Sequence, residues 1–163
     1  MKRDKFLSPI VVISATVVLS FLVAGVIGGT TATAQGDIHV VMPSDSWSLR
    51  HLDWDDDGEL ELGDRIEIRA ALFDAVVTDD RVGSAYGTCL VERRITQDSG
   101  LFRCTYLLKL ADGTITVDGI DPHGLGIYEL GVTGGTGAYS VANGEATFTD
   151  TNTETDILIS FGT

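Results

Sequence analysis

The chain has 163 residues, enough for one domain plus an N-terminal extension. Its 24 acidic side chains outweigh 11 basic ones, for a net charge of −13. Such a surface repels phosphate backbones and anionic lipid, which removes nucleic acid from the expected partners.

The chain opens with Lys2, Arg3 and Lys5, followed by an almost unbroken apolar run from Ile10 to Ile27 and then Ala32-Thr33-Ala34. This order of basic, apolar and small-x-small segments predicts a signal peptide over 1–34, cut after Ala34, and a domain over 35–163. The alternative is a retained membrane anchor through residues 10–27, since such a run nearly spans a bilayer. Either way the domain is expected to be exported, whether secreted or anchored facing outside. No cysteine lies near the site, which argues against a lipoprotein. Cleavage removes three basic residues and Asp4, leaving eight basic and 23 acidic side chains and a charge of −15.

Beyond Gln35 the pattern is β throughout. Strands are expected at 38–42, 47–54, 64–73, 85–94, 101–110, 114–120, 126–132, 143–149 and 155–161, punctuated by glycine, aspartate and asparagine. The clearest is 64–73, where Ile66, Ile68, Ala70 and Leu72 alternate with Arg65, Glu67 and Arg69. Strands at this spacing, with no helical period between them, indicate an all-β antiparallel sandwich or barrel.

Cys89 and Cys104 are the only cysteines. In an exported chain an even pair reads as one disulfide; in a cytoplasmic one, as two buried thiols. A cross-strand disulfide places Val91 opposite Phe102, Thr88 opposite Thr105 and Gly87 opposite Tyr106. A two-residue turn at Asp112-Gly113 independently pairs Leu110 with Ile115, Leu108 with Val117 and Tyr106 with Gly119. Both registers put Phe102, Cys104, Tyr106, Leu108 and Leu110 on an inner face, with Arg103 and Lys109 outside. Tyr106 would then point inward between Gly87 and Gly119, either filling the barrel or lining open space.

The glycine-rich Gly131-Val-Thr-Gly-Gly-Thr-Gly137 looks like a phosphate loop, but no helix follows to present its amides to a pyrophosphate. It is read instead as a tight turn between two late strands. Asp53, Asp55 and Asp57, with Gly58 and Asp64, have the spacing of a calcium loop without its helices. The competing reading is an acidic turn. His123, in Asp118-Gly-Ile-Asp-Pro-His-Gly124, is near acids and is a candidate general acid or base; otherwise it is an exposed loop residue. No nucleophile elbow or activated cysteine is present, and no cofactor is expected.

The stretch from Gly63 to Phe161 resembles the allene oxide cyclase barrel and dirigent families. The residues that carry this are Gly63-Asp64, Leu72-Phe73-Asp74, Val82-Gly83, Tyr86-Gly-Thr-Cys89, Phe102-Arg-Cys104, Gly113-Thr-Ile-Thr-Val-Asp-Gly119, Val132-Thr-Gly-Gly-Thr-Gly-Ala-Tyr139 and Gly144-Glu145. The resemblance implies an eight-stranded antiparallel β-barrel with an apolar interior. Members act as cyclases or direct reactive intermediates, and bacterial relatives catalyse [4+2] cycloadditions of polyketides. Folding a flexible substrate into one reactive conformer in a dry cavity is their shared device.

For this chain the resemblance implies a cofactor-independent cyclase for an apolar natural-product intermediate. Phe102, Tyr106 and Leu108 would line the cavity, joined by Phe148, Ile157, Ile159 and Phe161 from the closing strands. Tyr106 would enforce conformation, and His123 or Asp118 would polarise a carbonyl. The alternatives are an exported barrel that only binds an apolar small molecule or serves at the cell surface, and a barrel with a filled interior. A cavity of at least about 300 Å³, open at one end, would favour the first two. A dimer or trimer is the expected assembly.

Overall fold

The computed structural model describes residues 36–57, 59–77, 79–96, 99–122 and 126–162. The expected leader or anchor over 1–34, with its apolar run 10–27, lies outside them, as does His123.

Among the described residues the chain forms nine antiparallel strands: β1 (Ile38–Pro43), β2 (Ser48–Leu52), β3 (Arg65–Asp74), β4 (Arg81–Thr96), β5 (Ser99–Leu110), β6 (Gly113–Asp121), β7 (Ile127–Gly137), β8 (Gly144–Asp150) and β9 (Glu154–Phe161). Consecutive strands from β3 to β9 pair as a meander, β1 returns to β9, and β1 also pairs with β3. These eight strands therefore close a barrel, which leaves no free edge within it. The segment predicted over 47–54 is strand β2, paired only with β3 and outside the closed ring.

β1 and β2 follow one path along β3, broken in the middle. Val40 and Val41 lie opposite Asp74 and Phe73, whereas Ser48 to Leu52 lie opposite Arg69 to Arg65. Between them Ser44–Ser46 make a single 3-10 turn. Ser44 N–H donates to the Thr153 carbonyl at 2.8 Å, and the Ser46 hydroxyl donates to the Pro43 carbonyl at 2.7 Å. These bonds fix the point at which the path leaves β9 and β2 begins.

Side-chain alternation fills the interior. Phe102, Cys104, Tyr106 and Leu108 of β5 are buried together with Ile115 and Val117 of β6, Leu130 of β7, Phe148 of β8, and Ile157 and Ile159 of β9. Each fully buried apolar side chain of this size contributes about 1.5–3 kcal/mol relative to exposure. Between β4 and β5 the expected register holds: Cys89 faces Cys104, Gly87 faces Tyr106, and Val91 faces Phe102. Cys89 and Cys104 are joined by a disulfide.

Between β5 and β6 the register differs from the expected one by two residues. Leu110 pairs with Gly113, Leu108 with Ile115 and Tyr106 with Val117, so the turn is Ala111-Asp112. Gly113 is needed in the strand, because a Cβ there would sit 2.1 Å from the Thr136 carbonyl oxygen of β7. A shift of two preserves which side chains face inward. It does replace Gly119 by Val117 beside Tyr106, and Gly119 lies opposite Cys104 instead.

The glycine-rich stretch is likewise strand and not turn. It forms the second half of β7, and the turn follows at 138–141. Its glycines let β6 and β7 approach closely: a Cβ on Gly135 would stand 2.0 Å from the Thr114 carbonyl oxygen.

Candidate functional site

The barrel is stoppered at one end and open at the other. At the stoppered end Tyr139 stacks on Phe161 with ring centroids 6.2 Å apart, and Ile38, Val82 and Leu110 pack against the core. At the other end a cavity of about 160 Å³ opens between the strand ends. Its apolar wall includes Met42, Trp47, Leu49, Leu60, Ile66 and Ile68, and its base includes Phe102, Tyr106 and Tyr128. Leu49 is 59% exposed and forms part of the rim. The volume falls short of the 300 Å³ expected for a drug-sized ligand. It is close to that of an engineered apolar cavity, about 150 Å³, that admits benzene.

The base of the cavity is polar and well anchored. Tyr106 comes from β5 and Tyr128 from β7, with β6 between them, and their hydroxyls are hydrogen-bonded to each other. Both rings rest on Phe148, with centroids 5.3 and 5.2 Å away. Phe148 is fully buried, so it is a support for the tyrosines and not a wall of the cavity. Gly87 permits the position of Tyr106: a Cβ at Gly87 would lie 2.6 Å from Cε1 of that ring.

Two aspartates complete the base. Asp121, at the end of β6, is 6% exposed, and its Oδ2 lies 3.9 Å from Cys104 Sγ. Asp150, at the end of β8, accepts a hydrogen bond from the buried Thr155 hydroxyl at 2.6 Å. The Tyr106 hydroxyl is 3.7 Å from Cys89 Sγ, so the disulfide runs beneath this polar group. Burial raises the pKa of Tyr106 well above that of an ordinary phenol, and the Asp121 carboxylate raises it further. Tyr128 is raised by burial first, then by Tyr106, Asp121 and Asp150. Both tyrosines therefore remain protonated hydrogen-bond donors at neutral pH.

Of the residues expected from sequence to line a cavity, Phe102 and Tyr106 do. Leu108, Ile157 and Ile159 have no exposed surface and belong to the filled middle of the barrel. Phe161 is at the opposite end, against Tyr139. Asp118, expected to polarise a carbonyl, is on the outer face of β6 and accepts from the Thr105 hydroxyl. Ile115, Val117 and Asp121 share the inward parity, which Asp118 does not. On β6 the acid that reaches the cavity is thus Asp121, and its signal in the sequence is that parity, continued one residue past the expected strand end.

The acidic loop after β2 gathers three of the four aspartates of the calcium spacing. The carboxylates of Asp53, Asp55 and Asp57 come within 4.8 Å of one another. Asp64 is 2% exposed. Its Oδ1 accepts from Trp54 N–H at 3.0 Å, and its Oδ2 from Glu61 N–H at 2.7 Å and from His51 Nε2 at 3.0 Å. Those bonds draw Asp64 into closing the loop.

No protein-family model and no curated protein sequence matches the chain. Solved structures do. Pyocyanin demethylase matches with a TM-score of 0.64 at 22% identity, over 78% of this chain and 100% of that one. The pterocarpan synthase dirigent protein GePTS1 gives 0.56 at 17%, over 76% and 86%. The Diels–Alderase AbmU from Streptomyces koyangensis gives 0.57 at 16%, covering 78% of this chain and 64% of that one. At these identities the likeness is one of fold. In fold, the chain is a closed eight-stranded antiparallel barrel like those of these proteins.

Proposed function

We propose that the barrel takes up an apolar small molecule through its open end and acts on it without a cofactor, as a cyclase or isomerase. The observation that carries this reading is the cavity itself, with apolar walls over two buried, hydrogen-bonded tyrosines. A filled structural barrel would have no reason to hold Tyr106, Tyr128, Asp121 and Asp150 together in its interior, where polar groups are costly. The size of the cavity limits the reading. One ring of a substrate fits, and the remainder of a polyketide would project past Trp47 and Leu49. A [4+2] cycloaddition would then need the diene and dienophile to meet near the mouth, where the protein restricts their conformations.

The second reading is an exported, dirigent-like barrel that binds an apolar small molecule without converting it. The small volume favours it, and the disulfide suits an oxidising compartment. A dimer or trimer is compatible with both. Incubation of the purified protein with an apolar extract of the source cells separates the two readings. A cyclase depletes one metabolite and yields an isomer of equal mass; a carrier retains a metabolite unchanged. Tyr106→Ala should abolish either effect while circular dichroism still shows a β-barrel. Unchanged conversion by that variant would remove Tyr106 from the site, and the absence of both conversion and retention would overturn both readings.

A further inference from the structure

The cavity contains more acid–base chemistry than conformational control of an apolar substrate requires. Asp121 is a nearly buried carboxylate on the inward face of β6, at the base of the cavity. It is close enough to Tyr106 and Tyr128 for its charge to act on both, more strongly than that of Asp150. That proximity to the tyrosine pair, together with its place in the cavity lining, makes Asp121 the candidate base.

The donors are equally specific. Tyr106 lines the cavity, where its hydroxyl can donate to a ligand. Burial keeps that hydroxyl protonated near neutral pH. Trp47, on the apolar wall, has a buried indole N–H with no hydrogen-bond partner among the described residues. A cavity of one ring's size that offers hydrogen-bond donors beside a carboxylate is matched to a ligand with an acceptor oxygen and an acidic C–H bond nearby.

Resting on the reading of this cavity as a small-molecule site, we propose that it binds ring-sized carbonyl compounds and enolises them, with Asp121 as the base and Tyr106 as the hydrogen-bond donor to the carbonyl oxygen. Asp121 removes a proton from the carbon next to the carbonyl. The C–H electron pair becomes the carbon–carbon π bond of the enolate, and the carbonyl π pair moves to oxygen, where the Tyr106 hydroxyl stabilises it. Neutral Asp121 then returns the proton to the same carbon, or to the far carbon of a conjugated system. The sum is exchange or isomerisation, with no oxidant or reductant. Tyr128 is a positioning residue, because its hydroxyl acts through Tyr106. Phe148 holds both rings from below.

The test is hydrogen–deuterium exchange of 2-indanone, a bicyclic ketone of suitable size, in D2O with the purified full-length chain. Proton NMR follows loss of the α-proton signal, and saturation-transfer NMR on the same samples reports binding. We expect exchange at least about tenfold above buffer at equal pD. Asp121→Asn should return exchange to the buffer rate while 2-indanone still binds, and Tyr106→Phe should reduce exchange with Asp121 intact. Tyr139→Phe, at the stoppered end, should leave exchange unchanged. Binding without accelerated exchange would overturn the enolisation but leave the small-molecule reading standing. Exchange that survives Asp121→Asn would remove Asp121 as the base. Failure of 2-indanone to bind would overturn the assigned substrate class, and the metabolite experiment above would still decide the broader reading.

Discussion

Gly87 of β4 lies against the face of Tyr106 on β5, and a single added methyl group there would come within 2.6 Å of Cε1 and 2.7 Å of Cδ1. The contact is with a rigid, buried ring that rests on Phe148 and cannot move aside cheaply. Gly87→Ala is therefore expected to destabilise the barrel by about 1–3 kcal/mol, the usual range for overpacking. The drop should appear as a lower denaturation midpoint in urea with an unchanged m-value. Ligand uptake should fall with it, since a displaced Tyr106 intrudes into the cavity.

Phe148 supports both tyrosines from the fully buried side. Phe148→Ala should cost about 3–5 kcal/mol, as for other large-to-small changes in a packed core. Phe148→Leu keeps most of the volume and should cost less, while loosening the tyrosine pair. Near-ultraviolet circular dichroism of the tyrosines would report that loosening, and equilibrium unfolding the two stabilities. Equal stability of wild type and Phe148→Ala would mean that the interior is not packed as described.

The disulfide closes a loop with a sequence separation of 15 residues. By loop-closure entropy a link of that length stabilises by about 3 kcal/mol. Reduction, or the double replacement Cys89→Ala with Cys104→Ala, should lower the melting temperature without removing the β-sheet circular dichroism signal. A melting temperature indifferent to reductant would contradict the bond.

Asp64 gives an acid-side prediction with a defined sign. Hydrogen bonds from the Glu61 and Trp54 amides, chiefly, and the bond to His51 lower its pKa below the ordinary 3.8, against the opposing effect of burial. A carboxyl group with a depressed folded pKa contributes stability that is complete above its ordinary value and is lost as pH falls through the folded value. The difference in melting temperature between wild type and Asp64→Asn should thus shrink as pH falls below about 3.8. A difference that grew as pH fell below 3.8 would reverse the assigned sign.

The fold was highly legible in the sequence because period-2 alternation is dictated by burial, and nine alternating segments leave few arrangements. The pairing of Cys89 with Cys104 set one register correctly. The Asp112-Gly113 turn set the next one two residues off, because glycine there serves a close strand approach that sequence spacing does not distinguish from a turn. The same ambiguity made Gly131–Gly137 look like a loop. The site was less legible. Tyr106 and Phe102 followed from alternation, but how high the filled core rises decides which inward residues meet open space. That depends on packing between strands distant in sequence, so Leu108, Ile157 and Ile159 were indistinguishable from cavity residues. Asp121 was hidden by the Asp-Pro that follows the expected strand end, and Tyr128 by the absence of any reason to pair it with Tyr106 across an intervening strand.

The broken path of β1 and β2 separates two tasks that a continuous strand would have joined. β1 closes the ring against β9 and β3, while β2, anchored on β3 alone, carries Leu49 to the cavity rim. Only Ser44–Ser46 and Trp47 connect them. Changes in the length or composition of that short joint would reshape the entrance while the ladder that closes the barrel stays as it is. Substrate range in such a barrel can therefore drift without re-solving the folding problem, and the joint is the place to engineer a wider door.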